Sequence, residues 1–178
     1  MRQIQSLKPQ DIVIVLKIVA LGGHPWKQLD LARDLGLSQA EVTFALERLK
    51  RSGLIDDTKR KPMRLALFEF IVHGLKYVFP ARPGAISRGI PTAHSFGPLS
   101  KKIVASDQSQ FVWPSEDGAV RGQAIEPLYE TVPNSIKNDE EFHKLLALVD
   151  SIRIGRAREI EIAANELRKR LLEKERGT

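Results

Sequence analysis

The stretch 35–55, LGLSQAEVTFALERLKRSGLI, constrains the fold of this chain more than any other. Gly36 interrupts a helical pattern at a point where only a residue tolerant of left-handed backbone makes a sharp turn at little cost. Ser38 follows, with Glu41 three residues on. That pair forms a capping box, in which each side chain accepts from the other's otherwise unbonded amide. Val42, Ala45, Leu46 and Leu49 then recur at helical spacing, and Gly53 stands where a helix stop belongs. Two helices joined by a tight turn, the second with one apolar face, must dock that face on further helices.

The flanks supply candidates. Residues 8–21 read as a first helix: Pro9 suits the first turn, Asp11 favours a helix N-terminus, and Gly22-Gly23 stops it. This helix is apolar nearly all round, which predicts burial, in part at a dimer contact. A second helix is expected over 26–34, with Leu29, Leu31, Ala32 and Leu35 inward. The candidate third runs over 38–52. A fourth is expected over 63–78, with Leu65, Phe68, Ile71, Val72 and Leu75 as its core side, His73 as a hydrogen-bonded structural residue, and Pro80 as its end; Gly74 is the weak point of the pattern. Residues 80–99 are rich in Gly, Pro and Ser and carry no period, so they read as an irregular linker. Over 110–125 two short runs flank SEDG, which predicts a β-hairpin turning at Asp117-Gly118. Trp113 and Tyr129 are expected to pack that hairpin on the body. Asn138 or Asp139 is placed to cap a helix through Phe142, Leu145, Leu146, Val149 and Ile152, with Gly155 as a break or a bend. A last helix runs to about Lys174 with a coiled-coil-like seam at Ala157, Ile160, Ala164, Leu167 and Leu171.

Composition narrows the function classes. There is no cysteine, so disulfides and thiolate metal sites are excluded, as expected of a reducing cytoplasm. The histidines at 24, 73, 94 and 143 show no ligand spacing, so no metal is expected. The start MRQIQSLKPQD holds no signal-peptide core. The longest apolar run, 12–21, is interrupted by Lys17 and is far short of the ~20 residues that span a bilayer. The phosphate-binding, dinucleotide, zinc-protease and nucleophile-elbow patterns are missing, so neither an enzyme nor a cofactor is expected. The net charge is +6. Residues 1–80 hold 13 Lys/Arg against 8 Asp/Glu, whereas 81–135 balance at 5 and 5 and 136–178 at 10 and 9. The excess therefore sits beside the capping-box helix and favours a polyanionic partner.

The segment KQLDLARDLGLSQAEVTFALERLKRSGLI resembles the helix-turn-helix of winged-helix bacterial regulators, the MarR-like families in the broad sense. The matching features are Leu31-Ala32, Leu35-Gly36-Leu37-Ser38, Val42, Leu46 and the exit from Leu49 to Ile55. The likeness covers roughly residues 8–60. It implies a mainly α fold with three parts. These are a winged helix-turn-helix DNA-binding domain over 1–80, a Gly/Pro-rich linker and β-hairpin region over 81–135, and C-terminal helices over 136–178 for dimerisation or partner binding. It further implies a cytoplasmic, homodimeric, sequence-specific regulator that binds double-stranded DNA, with helix 38–52 in the major groove.

The residues suit that role. With Val42, Leu46 and Leu49 inward, the opposite face presents Gln39, Ala40, Thr43, Phe44, Glu47 and Lys50. Gln39 can bond adenine in bidentate fashion, and Thr43 can touch a thymine methyl or a phosphate. Ser38, at the positive helix N-terminus, suits a phosphate. Lys50, Arg51, Lys59, Arg60, Lys61 and Arg64 are candidate backbone clamps. Two positions cut across this. Phe44 stands where relatives of the motif often carry arginine, and an aromatic at helical spacing packs more often than it reads. Glu47 costs affinity by facing phosphates unless Arg51 pairs with it at i+4 or it accepts a hydrogen bond from cytosine N4. The segment 55–63, IDDTKRKPM, leaves room only for a short basic wing. Arg82 and Arg88 in the linker are candidates for a minor-groove arm, though an ordered loop across the protein is the plainer reading. Lys101-Lys102 is a weaker phosphate candidate.

The words FEFIVHGLKYVFPARPG and VRGQAIEPLYETVP also resemble uncharacterised bacterial proteins with an N-terminal helix-turn-helix, some encoded beside nucleotidyltransferase toxins of the abortive-infection type. That likeness implies the alternative function: an antitoxin-like module that masks a partner enzyme and represses its own operon.

Overall fold

The computed structural model describes residues 6–103 and 110–173. The chain is mainly helical with a small three-stranded sheet. In order the elements are α1 (Pro9–Ala20), α2 (Gln28–Leu35), α3 (Gln39–Arg51), α4 (Arg64–His73), α5 (Leu75–Val78), β1 (Ile86–Thr92), β2 (Phe111–Pro114), β3 (Val120–Ala124), α6 (Val132–Ser135), α7 (Glu140–Ile154) and α8 (Ala157–Arg168). Single 3-10 turns follow β1, and a π-helical turn (Lys169–Glu173) follows α8.

Two helices that are apolar nearly all round make the centre. In α1 every side chain from 11 to 19 is buried, the charged Asp11 and Lys17 included. Lys17 is held by ion pairs to Asp34 at 3.6 Å and Asp139 at 2.7 Å. In α7 burial runs from Phe142 to Arg153 with Lys144 as the partial exception. A helix without a polar face is stable only when surrounded. α7 accordingly packs against α1, α4, α5, α8 and β1, and one continuous apolar cluster extends from Ile12 to Leu171. Asp139 caps α7 by accepting from the Phe142 amide at 3.0 Å, and Gly155 breaks the chain before α8. The heptad-like seam is used only in part inside the chain: Leu167 and Leu171 are buried, Ile160 and Ala164 are half-buried and Ala157 is exposed, while Ala163, outside the seam, is buried.

Several expectations are corrected here. The helix expected over 63–78 is two, divided at Gly74, whose amide closes α4 on the Phe70 carbonyl at 2.8 Å. Leu65 and Leu29, assigned to core faces, are 58% and 61% exposed, and His73 is exposed rather than structural. Helical spacing places a residue near a boundary between faces but cannot say how far the neighbouring helix reaches.

The expected irregular linker contains β1, and the expected hairpin is not one. β2 and β3 run parallel, and each pairs antiparallel with β1. The turn at 115–118 does form, with the Gly118 amide on the Ser115 carbonyl at 3.1 Å. The chain then runs antiparallel along β1 and meets β2 only in parallel, at Phe111 and Val112, so Gly89 stands opposite both Pro114 and Val120. Glycine makes this crossing feasible. A Cβ on Gly89 would lie 2.1 Å from the Trp113 carbonyl oxygen, and one on Gly118 would lie 2.2 Å from the Gly89 carbonyl carbon.

The sheet is fastened to α7 through polar groups buried together. The Asp150 carboxylate accepts from Thr92 Oγ1 at 2.8 Å, Trp113 Nε1 at 2.7 Å and Arg153 Nη1 at 2.9 Å. Arg153 also donates to the carbonyls of Phe79 and Glu126, both at 3.0 Å, which ties down the chain on either side of the sheet. Burial pushes the Asp150 carboxyl up, against the Arg153 charge and the three donors. Trp113 thus packs the sheet on the body as expected, and Tyr129 is half-buried.

Candidate nucleic-acid interface

The geometry of α3 begins with its two ends. Gly36 closes α2 at φ +64°, and the Leu37 amide reaches back to the Ala32 carbonyl at 2.8 Å. Ser38 then caps α3: its Oγ accepts from the Glu41 amide at 3.2 Å, and the Glu41 carboxylate accepts from the Ser38 amide at 2.8 Å. Those bonds hold the Glu41 carboxyl below its usual range. Gly53, at φ +70°, turns the chain away at the far end.

The inner face carries Val42, Ala45, Leu46 and Leu49, all buried. It also carries Arg48, which sequence reasoning did not single out. The Arg48 guanidinium meets the Asp11 carboxylate of α1 with Nε at 2.8 Å and Nη2 at 2.7 Å. A planar fork on a carboxylate fixes direction as well as distance. The pair therefore sets how α3 crosses α1. The available sign was a basic residue inside an otherwise apolar stripe.

The outer face stands clear of the body. Gln39, Ala40 and Thr43 are exposed, and Phe44 is 57% exposed. Phe44 therefore does not pack against a neighbouring helix of its own chain. The Thr43 hydroxyl lies 2.6 Å from Gln28 Oε1 and 2.9 Å from the Gln39 carbonyl, its one proton serving one of the two. Gln28, in the first turn of α2, joins this surface, a placement that no local pattern announces.

Residues 55–62 form a tight turn closed by a single bridge between Ile55 and Pro62, with the Met63 amide on the Leu54 carbonyl at 3.0 Å. Asp56 organises it. Its carboxylate accepts from the amides of Lys61 at 2.9 Å and Arg60 at 2.8 Å and from the Thr58 hydroxyl at 2.5 Å. These bonds, the Lys61 amide foremost, lower its pKa to about 2.

The candidate clamps are distributed unevenly. Lys59 pairs with Glu47, and that bond holds the Glu47 carboxyl below its usual range. This contact from the turn takes the place of the Glu47–Arg51 pairing that i+4 spacing allows. Lys50 lies 3.4 Å from Asp57. The Arg60 guanidinium lies over the Trp26 ring, 4.6 Å from its centroid, and Arg60 donates to the Trp26 carbonyl at 2.8 Å. Arg64 donates to the Leu171 carbonyl at 3.3 Å. Arg51 and Lys61 are exposed and make no ion pair among the described residues. Of the weaker candidates, Arg88 donates to the Gly118 carbonyl within the sheet, and Lys102 pairs with Glu166 at 2.5 Å. Between residues 38 and 62 six basic side chains face four acidic ones, and Arg48 is neutralised internally. The local positive balance is therefore slight.

No protein-family model, curated protein or solved structure matches the chain. Among the described residues no helix is long and apolar enough to cross a membrane.

Proposed function

We propose that the chain is a winged helix-turn-helix protein that binds double-stranded DNA in the cytoplasm as a homodimer and regulates transcription, with α3 in the major groove and the 55–62 turn as a reduced wing. The observation that carries this reading is the exposed face of α3. Gln39 and Thr43 face solvent on a helix whose opposite side is locked into the core by Val42, Leu46, Leu49 and the Arg48–Asp11 pair. Such a division is what a groove-reading helix requires. In a two-fold dimer the two copies of α3 would address half-sites about one helical turn apart, ~34 Å.

The contacts sort into two kinds. Gln39 and Thr43 read base edges, and exposed Phe44 meets a thymine methyl. Ser38, Arg51, Arg60 and Lys61 hold phosphates. Lys50 and Lys59 contribute less, because Asp57 and Glu47 already neutralise them. The salt dependence is therefore modest for a DNA-binding protein. Each chain engages about three phosphates, and each contact contributes about 0.9 to the slope of log K against log salt. Selection of genomic fragments by the purified protein at two salt concentrations tests the reading. An enriched palindromic motif is expected, with K61A lowering the slope by about 0.9 per chain at every sequence. A selection that enriches nothing at low salt refutes it.

A second reading has its own observation. Phe44 and Leu29 are both more than half exposed on consecutive helices, with acidic residues among the bases. This suits a protein partner, as an antitoxin-like module would need. Stoichiometric capture of one partner, lost in F44A and accompanied by no DNA shift, would favour it.

A further inference from the structure

A cavity of about 500 Å³ lies between the 3-10 turns after β1, the start of α7 and the π-helical turn after α8. Its walls are held in place by contacts between these elements. Lys102 pairs with Glu166 and fastens the chain beyond the turns to α8. Gly97 reverses the chain at φ +68° over Lys144, whose Cγ lies 3.4 Å from where a Cβ on that glycine would stand. The Lys144 ammonium is itself held by Glu140 at 2.8 Å and Glu141 at 3.3 Å.

Two other cations of the lining are less committed. Lys101 is exposed and makes no ion pair among the described residues. Arg170 sits on the π-helical turn with its side chain 19% exposed, and its guanidinium reaches Glu141 only at 3.7 Å. The Arg170 Nε is buried and has no hydrogen-bond partner among the described residues. A buried donor without an acceptor is costly, and native structures keep few of them. A π-helical turn is likewise an irregularity found often at functional sites. The guanidinium therefore has capacity for an oxyanion, which matches its planar fork. Ser95 adds a hydroxyl: its oxygen accepts from the Phe111 amide at 2.8 Å, so its proton is left to donate.

We propose that this cavity binds the phosphate monoester of a polyhydroxylated skeleton, either a free sugar phosphate or the same group within a nucleotide. The phosphate takes Arg170, Lys101 and the Ser95 hydroxyl. Glu140, the carboxylate of the lining, selects the rest of the ligand. Beside a bare anion it repels, whereas a sugar presents hydroxyls whose protons it accepts. The carbon skeleton covers Phe96 and Pro98. The volume lies in the range of small-molecule sites and exceeds what one oxyanion fills. None of these residues is among the proposed DNA contacts. The inference therefore goes beyond that reading, and neither depends on the other.

The test is calorimetric titration of the whole chain with ribose 5-phosphate and, in a second arm, adenosine 5′-monophosphate, with inorganic phosphate and ribose as controls. At least one ester is expected to bind one to one and about tenfold more tightly than either control. Binding should also shift the Arg170 Nε–H resonance, which is assigned by its absence in R170K. Tighter binding of the nucleotide names nucleotides as the source, and tighter binding of ribose 5-phosphate names free sugar phosphates. K101Q alters an exposed side chain and should weaken the ester by about three- to fivefold, the value of an exposed ion pair, at an unchanged urea midpoint. R170K keeps the charge but loses the planar fork, and a loss of about tenfold is expected. The proposal is overturned if inorganic phosphate or ribose binds as tightly as the esters, if neither ester saturates, if K101Q binds unchanged, or if the Arg170 resonance stays in place on binding.

Discussion

The Arg48–Asp11 pair offers the most direct test of how the helical unit is held. Side-chain exposure is 5% for Arg48 and 0% for Asp11, so neither charge is solvated. In the substitution Asp11→Ala the guanidinium stays buried with both donors at that edge unmatched. Removing one partner of a buried pair costs about 3–5 kcal/mol, mostly the penalty of the charge left behind. Asp11 also accepts from the Lys8 amide at 2.8 Å, so the start of α1 loses its cap, adding about 1 kcal/mol. At about 2–4 °C per kcal/mol for a chain of this size, the fall in Tm is of order 10 °C. Urea unfolding followed by far-ultraviolet circular dichroism gives the free energy. The decisive comparison is the double substitution D11A/R48M, which removes both charges and keeps an unbranched side chain in place. It should recover more than half of the loss, because an apolar replacement of a buried pair is often neutral or better. A D11A cost below about 1 kcal/mol would refute the argument, as would a double variant no more stable than D11A.

Three further outcomes follow from the geometry. Gly89→Ala forces a Cβ to within 2.1 Å of a backbone oxygen that cannot swing aside, so a loss of at least about 1–3 kcal/mol is expected, together with the near-ultraviolet signal of Trp113; an unchanged spectrum and midpoint would contradict the close crossing of the strands. Ser38→Ala removes one half of the α3 cap and should cost about 1 kcal/mol, read as an earlier urea midpoint at unchanged slope. His143 is buried and stacked on Phe96 at 3.5 Å, with Nε2 donating to the Pro91 carbonyl at 2.8 Å, and burial holds its pKa below the ordinary value. Its unfolded form therefore binds the proton more readily, so the stability it contributes is present above about pH 6.5 and declines as the pH falls toward its folded pKa. Heteronuclear titration should place its midpoint below 6.5, and H143Q should flatten the Tm profile between about pH 5 and 7; a midpoint above 6.5 would reverse the sign.

Much of the fold was legible because its signals were local. The capping box at Ser38 and Glu41, the turn at Gly36 and the stop at Gly53 involve residues within a few positions of one another, and α3 falls where they place it. Near-continuous apolarity over 12–19, broken at Lys17, announced a buried α1. The turn at 115–118 was readable on the same grounds, and its consequence was not. Whether a chain leaving a turn returns beside its own strand or runs on along another depends on a partner 20 or more residues away. β1 was hidden among glycines and prolines that carry no period. Those glycines are the points at which backbones touch, as Gly89 and Gly118 show.

The candidate site divides in the same way. The polar outer face of α3 follows from the inner one, so Gln39 and Thr43 were assignable from spacing alone, whereas the exposure of Phe44, an aromatic more often packed at such spacing, was not. Charge pairing was not assignable. Glu47 took Lys59 rather than Arg51, Arg60 lay on Trp26, and Arg64 went to the carbonyl of Leu171. Sequence by itself determined the places of α1, α2, α3, α7 and α8 and most of their apolar sides, because backbone hydrogen bonds and hydrophobic periodicity act over a few residues. Only the tertiary structure decided which cations remain free for an anion and how the three strands close, because ion pairs and strand pairing join residues that the chain brings together after those elements exist.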